Sequence, residues 1–117
     1  MESTFKIQSS DHVIFDLKLK WLKNSVILLE KVKQLPKDSR VLVLDDVGST
    51  ALRLIVEWYQ LNELPGPESR IQRDRFLASL KKEKSKEFLN FLNVYKFPLR
   101  LRNLFFARFI NSLPLRL

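Results

Sequence analysis

Few residues in this chain have the types and spacing that reactions need. There is one histidine, His12, and no cysteine. A metal site needs three or four converging ligands, and the sequence gathers none around His12. This residue reads as a solvated turn position, of a type that tolerates left-handed backbone. Asp45 and Asp46 could form the carboxylate pair that acid–base chemistry uses. Adjacent acids before a helical pattern more often fix a turn and face the positive end of the helix. With two isolated glycines the chain lacks the usual Gly-rich phosphate loop. The expectation is a protein that is not an enzyme and holds no cofactor or metal.

Binding chemistry is better represented. The net charge is +8, and it is uneven. Residues 1–65 carry nine Lys+Arg and nine Asp+Glu, while residues 66–117 carry twelve and four. Attraction to an acidic partner would therefore act through the second half. Arg70, Arg73, Arg75, Lys81, Lys82, Lys84 and Lys86 make a dense basic segment. It would neutralise phosphates, or stay solvated as charge runs usually do. No helix-turn-helix, zinc or RNP-type pattern accompanies it, so nucleic acid is the lesser partner class. The last stretch mixes Phe105, Phe106, Phe109 and Ile110 with Arg100, Arg102, Arg108 and Arg116. Aromatic and arginine side chains are typical interface anchors. Basic amphipathic helices also lie on membranes, but prolines at both ends of this one count against that.

The elements that must carry these residues follow from periodicity. Residues 5–9 and 13–19 alternate apolar and polar around a turn-prone "SDH", which predicts a β-hairpin with Val13, Phe15, Leu17 and Leu19 on its buried face. "NS" at 24–25 offers a cap for a helix over 26–35, ended by Pro36. "VLVL" at 41–44 reads as a short strand buried on both faces. Ser49 is a candidate cap for a helix over 50–62. On that helix Leu52, Ile55, Val56, Trp58 and Tyr59 oppose Thr50, Arg53, Glu57 and Gln60. Residues 66–84 read as a basic linker holding a short helix around "DRFLASL". Residues 85–97 place Phe88, Phe91, Leu92 and Tyr95 on one helical face and Lys86, Asn90 and Asn93 on the other.

A last helix over about 99–113 groups Phe105, Phe106, Phe109, Ile110 and Leu113. Leu101 and Leu104 fall on its reverse, beside Arg100 and Arg108. A helix apolar on both sides needs burial on both sides. The length fits one domain. No apolar run approaches the roughly 18 residues of a membrane span. No secretory leader is evident, and the lack of cysteine suits a reducing compartment. Cytoplasm or nucleus is the expected location.

Two stretches carry a family likeness. "FKIQSSDHVIFDL" and "VLVLDDVGSTALRLIVEWYQLNELPGPE" resemble the Skp adaptor family, the subunits that link substrate adaptors to cullin ubiquitin ligases and whose shorter relatives include elongin C. "DRFLASL" and "FLNVYKF" are similar to later family segments. The resemblance implies an α/β (α+β) BTB/POZ-like fold, with a small three-stranded sheet flanked by about five or six helices. It implies an adaptor whose C-terminal helices clasp a helical F-box-like segment and whose other side meets a cullin. Asn93 matches an Asn of the family's cullin contact. The Tyr of that pair arrives one place late, at Tyr95, after Val94.

The sequence departs from the family in its basic charge, in the short "PKDSR" connection and in His12 at a family glycine. The family pattern also continues with further helices where this sequence stops at Leu117, so the last helix is expected to keep an uncovered side. The partner-binding residues implied are Asn93, Tyr95, Leu101, Leu104, Phe105, Arg108, Phe109 and Leu113. Self-association through the same apolar face is a further option.

Overall fold

The computed structural model describes residues 3–112, and side-chain surroundings to residue 110. Leu113 lies outside the described residues. Strands β1 (Thr4–Gln8) and β2 (Ile14–Lys18) form the hairpin. They pair antiparallel, with Ile7 opposite Phe15 and Lys6 opposite Asp16. The turn between them is tied by Ser9. Its buried hydroxyl accepts from the Val13 amide at 3.0 Å, and its own amide donates to the Val13 carbonyl at 2.9 Å. His12 holds the left-handed backbone that the turn needs, with φ of 68°. Leu17 faces the core and Phe15 packs against it, whereas Val13 is exposed because it belongs to the turn.

Helix α1 (Leu19–Leu22) is a single turn that buries Trp21 and Leu22. Helix α2 (Val26–Lys33) starts where the sequence offers a cap, and the Ser25 hydroxyl accepts from the Leu28 amide at 3.1 Å. Strand β3 (Val41–Val43) adds to β1 in parallel, giving the order β2-β1-β3. The expectation of a strand buried on both faces is corrected here. β3 is an edge strand that buries Leu42 and leaves Val43 50% exposed.

Helix α3 (Ser49–Asn62) buries Ala51, Leu52, Leu54, Ile55 and Trp58. Ser49 does not cap it but is its first residue. The cap comes from the hairpin turn 38 residues earlier: Asp11 accepts from the Ser49 amide at 2.9 Å and from its hydroxyl at 2.6 Å. These bonds, the hydroxyl's first, hold the Asp11 carboxyl down at about 2. At the other end of α3, Glu63 accepts from Trp21 Nε1 at 2.9 Å and pairs with Lys18 and Lys20 at 2.8 and 3.0 Å. Lys18 first, then Lys20, lowers the Glu63 carboxyl to about 2.

The stretch expected as a basic linker is largely helix. α4 (Gly66–Ser79) opens with Pro in its first turn, after Gly66 takes a φ of 56°. It buries only Ser69 and Phe76, which explains its weak apolar pattern. Helix α5 (Lys82–Val94) buries Phe88, Leu89, Phe91 and Leu92, and helix α6 (Leu99–Ser112) packs against it.

An α+β fold results, with a three-stranded mixed sheet and six helices among the described residues. Its C-terminal core is aromatic. Phe105 sits at the centre, 4.7 Å from the Phe88 ring, 5.1 Å from Trp58 and 6.3 Å from Phe76, each edge to face. Such pairs add to the area they bury because the ring edge is positive and its face negative.

Candidate functional site

The packing of α6 decides which of its residues can meet anything else. Leu101, Phe105 and Phe109 are spaced four apart and share the face turned to the core. Leu101 therefore stands on the same side as Phe105, not on the reverse. Phe105 is wholly buried, so its place among the expected partner contacts is corrected: the rings of Trp58, Phe76 and Phe88 occupy it. Phe109 is half-buried against the same core. Arg108 is also half-buried, and its Nε donates to the Leu77 carbonyl at 3.1 Å, which fastens α6 to α4. The large apolar side chains that α6 leaves exposed are Leu99, Leu104 and Phe106.

Tyr95 is corrected in the same way. It ends α5 and is 2% exposed. Its hydroxyl donates to Asp46 at 2.6 Å, and its carbonyl accepts from the Ser25 hydroxyl. Burial first, then the bond to Asp46, pushes the phenol well above its usual range. Tyr95 is thus a knot between α5, the start of α2 and the β3–α3 turn. Asn93 and Val94, just before it, are exposed. Beside them a notch of about 160 Å³ is lined by Asp46, Gly48, Glu87, Asn90 and Val94, among others. At Gly48 an added Cβ would meet Glu87 Oε1 at 2.9 Å, so the bare backbone lets that carboxylate approach.

The larger concavity, of about 770 Å³, runs between α3, α4 and α6. Trp58, Tyr59, Leu101 and Leu104 supply its apolar wall. Asn24, Asn62, Asn103, Arg73 and Arg100 supply its polar rim, together with Pro98. The two leucines that the sequence singled out therefore do meet in one place. Tyr59 is stacked on Trp21 at 6.0 Å, which holds that wall in place, and burial raises its phenol to about 12. Volumes of this order suit a small ligand or the anchor side chains of a helix lying in a groove.

Arg73 is separated from the other basic residues. It is half-buried on the groove wall, where Nε donates to the Ser69 carbonyl at 3.3 Å and Nη1 to Asn62 Oδ1 at 3.2 Å. Asn62 is held in turn by its bond to the Trp58 carbonyl at 2.7 Å. Arg70, Arg75, Lys81, Lys82, Lys84 and Lys86 are exposed, and no ion pair is seen for them among the described residues. Sequence patterning missed Asn24, Asn62, Asn103 and Arg100 as groove residues. The nearest signal was Trp58 and Tyr59 on the wide apolar face of α3.

Among the described residues no three His, Cys, Asp or Glu side chains gather as a metal site would require. None of the described helices is long and apolar enough to cross a membrane. No family model matches the chain, and neither does any curated protein.

Proposed function

We propose that this protein is a non-catalytic adaptor that works by protein–protein contact. The groove between α3, α4 and α6 takes a helical segment of a partner. The observation that carries this is the meeting of Trp58, Tyr59, Leu101 and Leu104 in one open concavity, with exposed Leu99 and Phe106 on the same helix as the two leucines. Apolar anchors in a pocket with a polar rim are what a helix laid in a groove requires. The resemblance to the Skp family supports an F-box-like segment as that partner, a BTB/POZ-type fold as its frame and a cullin on the Asn93 side. Asn93 and Val94 are free to make that contact, whereas Tyr95 acts through the Asp46 turn.

Affinity purification from native cells with mass identification tests this, run in parallel with Leu104→Asp. A partner held by the native chain and lost with Leu104→Asp supports the groove. Recovery of neither a cullin nor an F-box protein removes the ligase version. A second reading rests on the exposed cations Arg70, Arg75, Lys81, Lys82, Lys84 and Lys86, with no ion pair among the described residues, which suit a phosphate backbone. It requires nucleic-acid binding that weakens steeply between about 50 and 200 mM salt. Absence of binding at the low-salt end ends that reading.

A further inference from the structure

The groove carries positive charge without any answering negative charge. Among the described residues no acidic side chain lines this concavity, whereas Arg73 and Arg100 both do. Glu63, next to Asn62, is committed to Lys18, Lys20 and Trp21. The Arg73 guanidinium is fixed by two neutral acceptors, the Ser69 carbonyl and Asn62 Oδ1. A guanidinium has five N–H donors, so part of the fork and all of the charge remain for a ligand. The side chain is already oriented, because Asn62 holds it and is itself bound to α3. A fixed fork loses little freedom on meeting a planar carboxylate, which it matches in shape.

We infer that the groove selects an acidic amphipathic helix, with a carboxylate on Arg73, a second toward Arg100, and an apolar stripe on Trp58, Leu101 and Leu104. This rests on the groove being a docking site for a partner. A second copy of the chain is the poorer occupant, since it would bring its own +8 charge. A phosphate backbone would leave the apolar wall unmatched.

Fluorescence anisotropy on the full chain tests the inference with labelled helical peptides of roughly 18 residues. Each carries leucines at i, i+4, i+7 and i+11, flanked by glutamate, glutamine or lysine. The glutamate peptide should bind about tenfold or more tightly than the glutamine peptide, the range of one charged hydrogen-bond pair. Arg73→Gln and Arg100→Gln should each remove most of that preference. Lys31→Gln, an exposed charge on α2, should leave it unchanged. Arg100 has no hydrogen bond among the described residues whose loss would unfold the chain, so that variant reads recognition alone. Equal binding of all three peptides, lost with Leu104→Asp, would keep the groove and overturn its acid preference. Binding of no peptide, or binding indifferent to Leu104→Asp, would overturn the groove reading and this inference with it. Self-association that Leu104→Asp abolishes and the glutamate peptide fails to displace would assign the groove to a second copy, and overturn the inference too.

Discussion

Phe105 and Phe106 are neighbours of one residue type, and replacing each by alanine separates the two sides of α6. Phe105 is 0% exposed and Phe106 is 52% exposed. Truncating a buried phenylalanine costs roughly 3–5 kcal/mol through lost transfer energy and the cavity left behind. Three edge-to-face contacts end with Phe105, each worth about 0.5–1.5 kcal/mol beyond area. The upper part of that range is therefore expected for Phe105→Ala. Domains of this kind hold about 5–15 kcal/mol in total, so the variant should be close to unfolding. At about 3–6 °C per kcal/mol for a chain of this length, its midpoint should fall by more than about 12 °C. Phe106→Ala forfeits only the half of its surface that is covered, about 1 kcal/mol or less. Urea and thermal unfolding followed by circular dichroism measure both. Similar costs for the two, or a larger one for Phe106→Ala, would refute the orientation of α6 and the groove built on it.

The Glu63 carboxyl is lowered from 4.5 to about 2 in the folded chain. Stability from this group is thus complete above the unfolded value and is lost as pH falls from about 5 toward 2. Glu63→Gln should flatten that part of the stability–pH curve and cost about 1 kcal/mol at neutral pH, after solvent screening of a part-exposed pair. An unchanged acid slope would contradict the pairing. For Asp11→Ala, the Ser49 amide loses its acceptor and should exchange its hydrogen about tenfold faster. An unchanged exchange rate at Ser49 would mean that the hairpin does not cap α3.

What could be read from the sequence were features set by neighbours along the chain. Ser25 caps α2 because cap and helix are adjacent, and His12 declares its turn by residue type. Distant partners were hidden. Asp11 looked like a turn residue because the helix it serves begins 38 positions later. Val43 looked buried because an apolar run does not state which face of the sheet is covered, and the pairing with Gln8 puts it on the open face with Ile14. On α6 the apolar arc is so wide that its periodicity does not choose the inner side. The choice falls to the rings of Trp58, Phe76 and Phe88, which together enclose Phe105. Arg73 was grouped with the solvated cations by its neighbours in sequence, and separated from them only by Asn62 across the α3–α4 turn. Of the groove, Leu101 and Leu104 were visible as a pair, while its rim depended on how three helices meet.

The Tyr95 knot also sets an order of events during synthesis. Its two bonds span 49 residues to Asp46 and 70 to Ser25, while Trp58, Phe76, Phe88 and Phe105 belong to four helices joined by short turns. Long closures come late because the entropy of the intervening chain must be spent first. On the ribosome the hairpin, α2 and β3 emerge before the segment that fastens them. Until Tyr95 has left the exit tunnel, the Ser25 hydroxyl and the Asp46 carboxylate lack the partner that fastens them. A nascent chain stalled before α5 ends therefore leaves the amino-terminal half without these two ties.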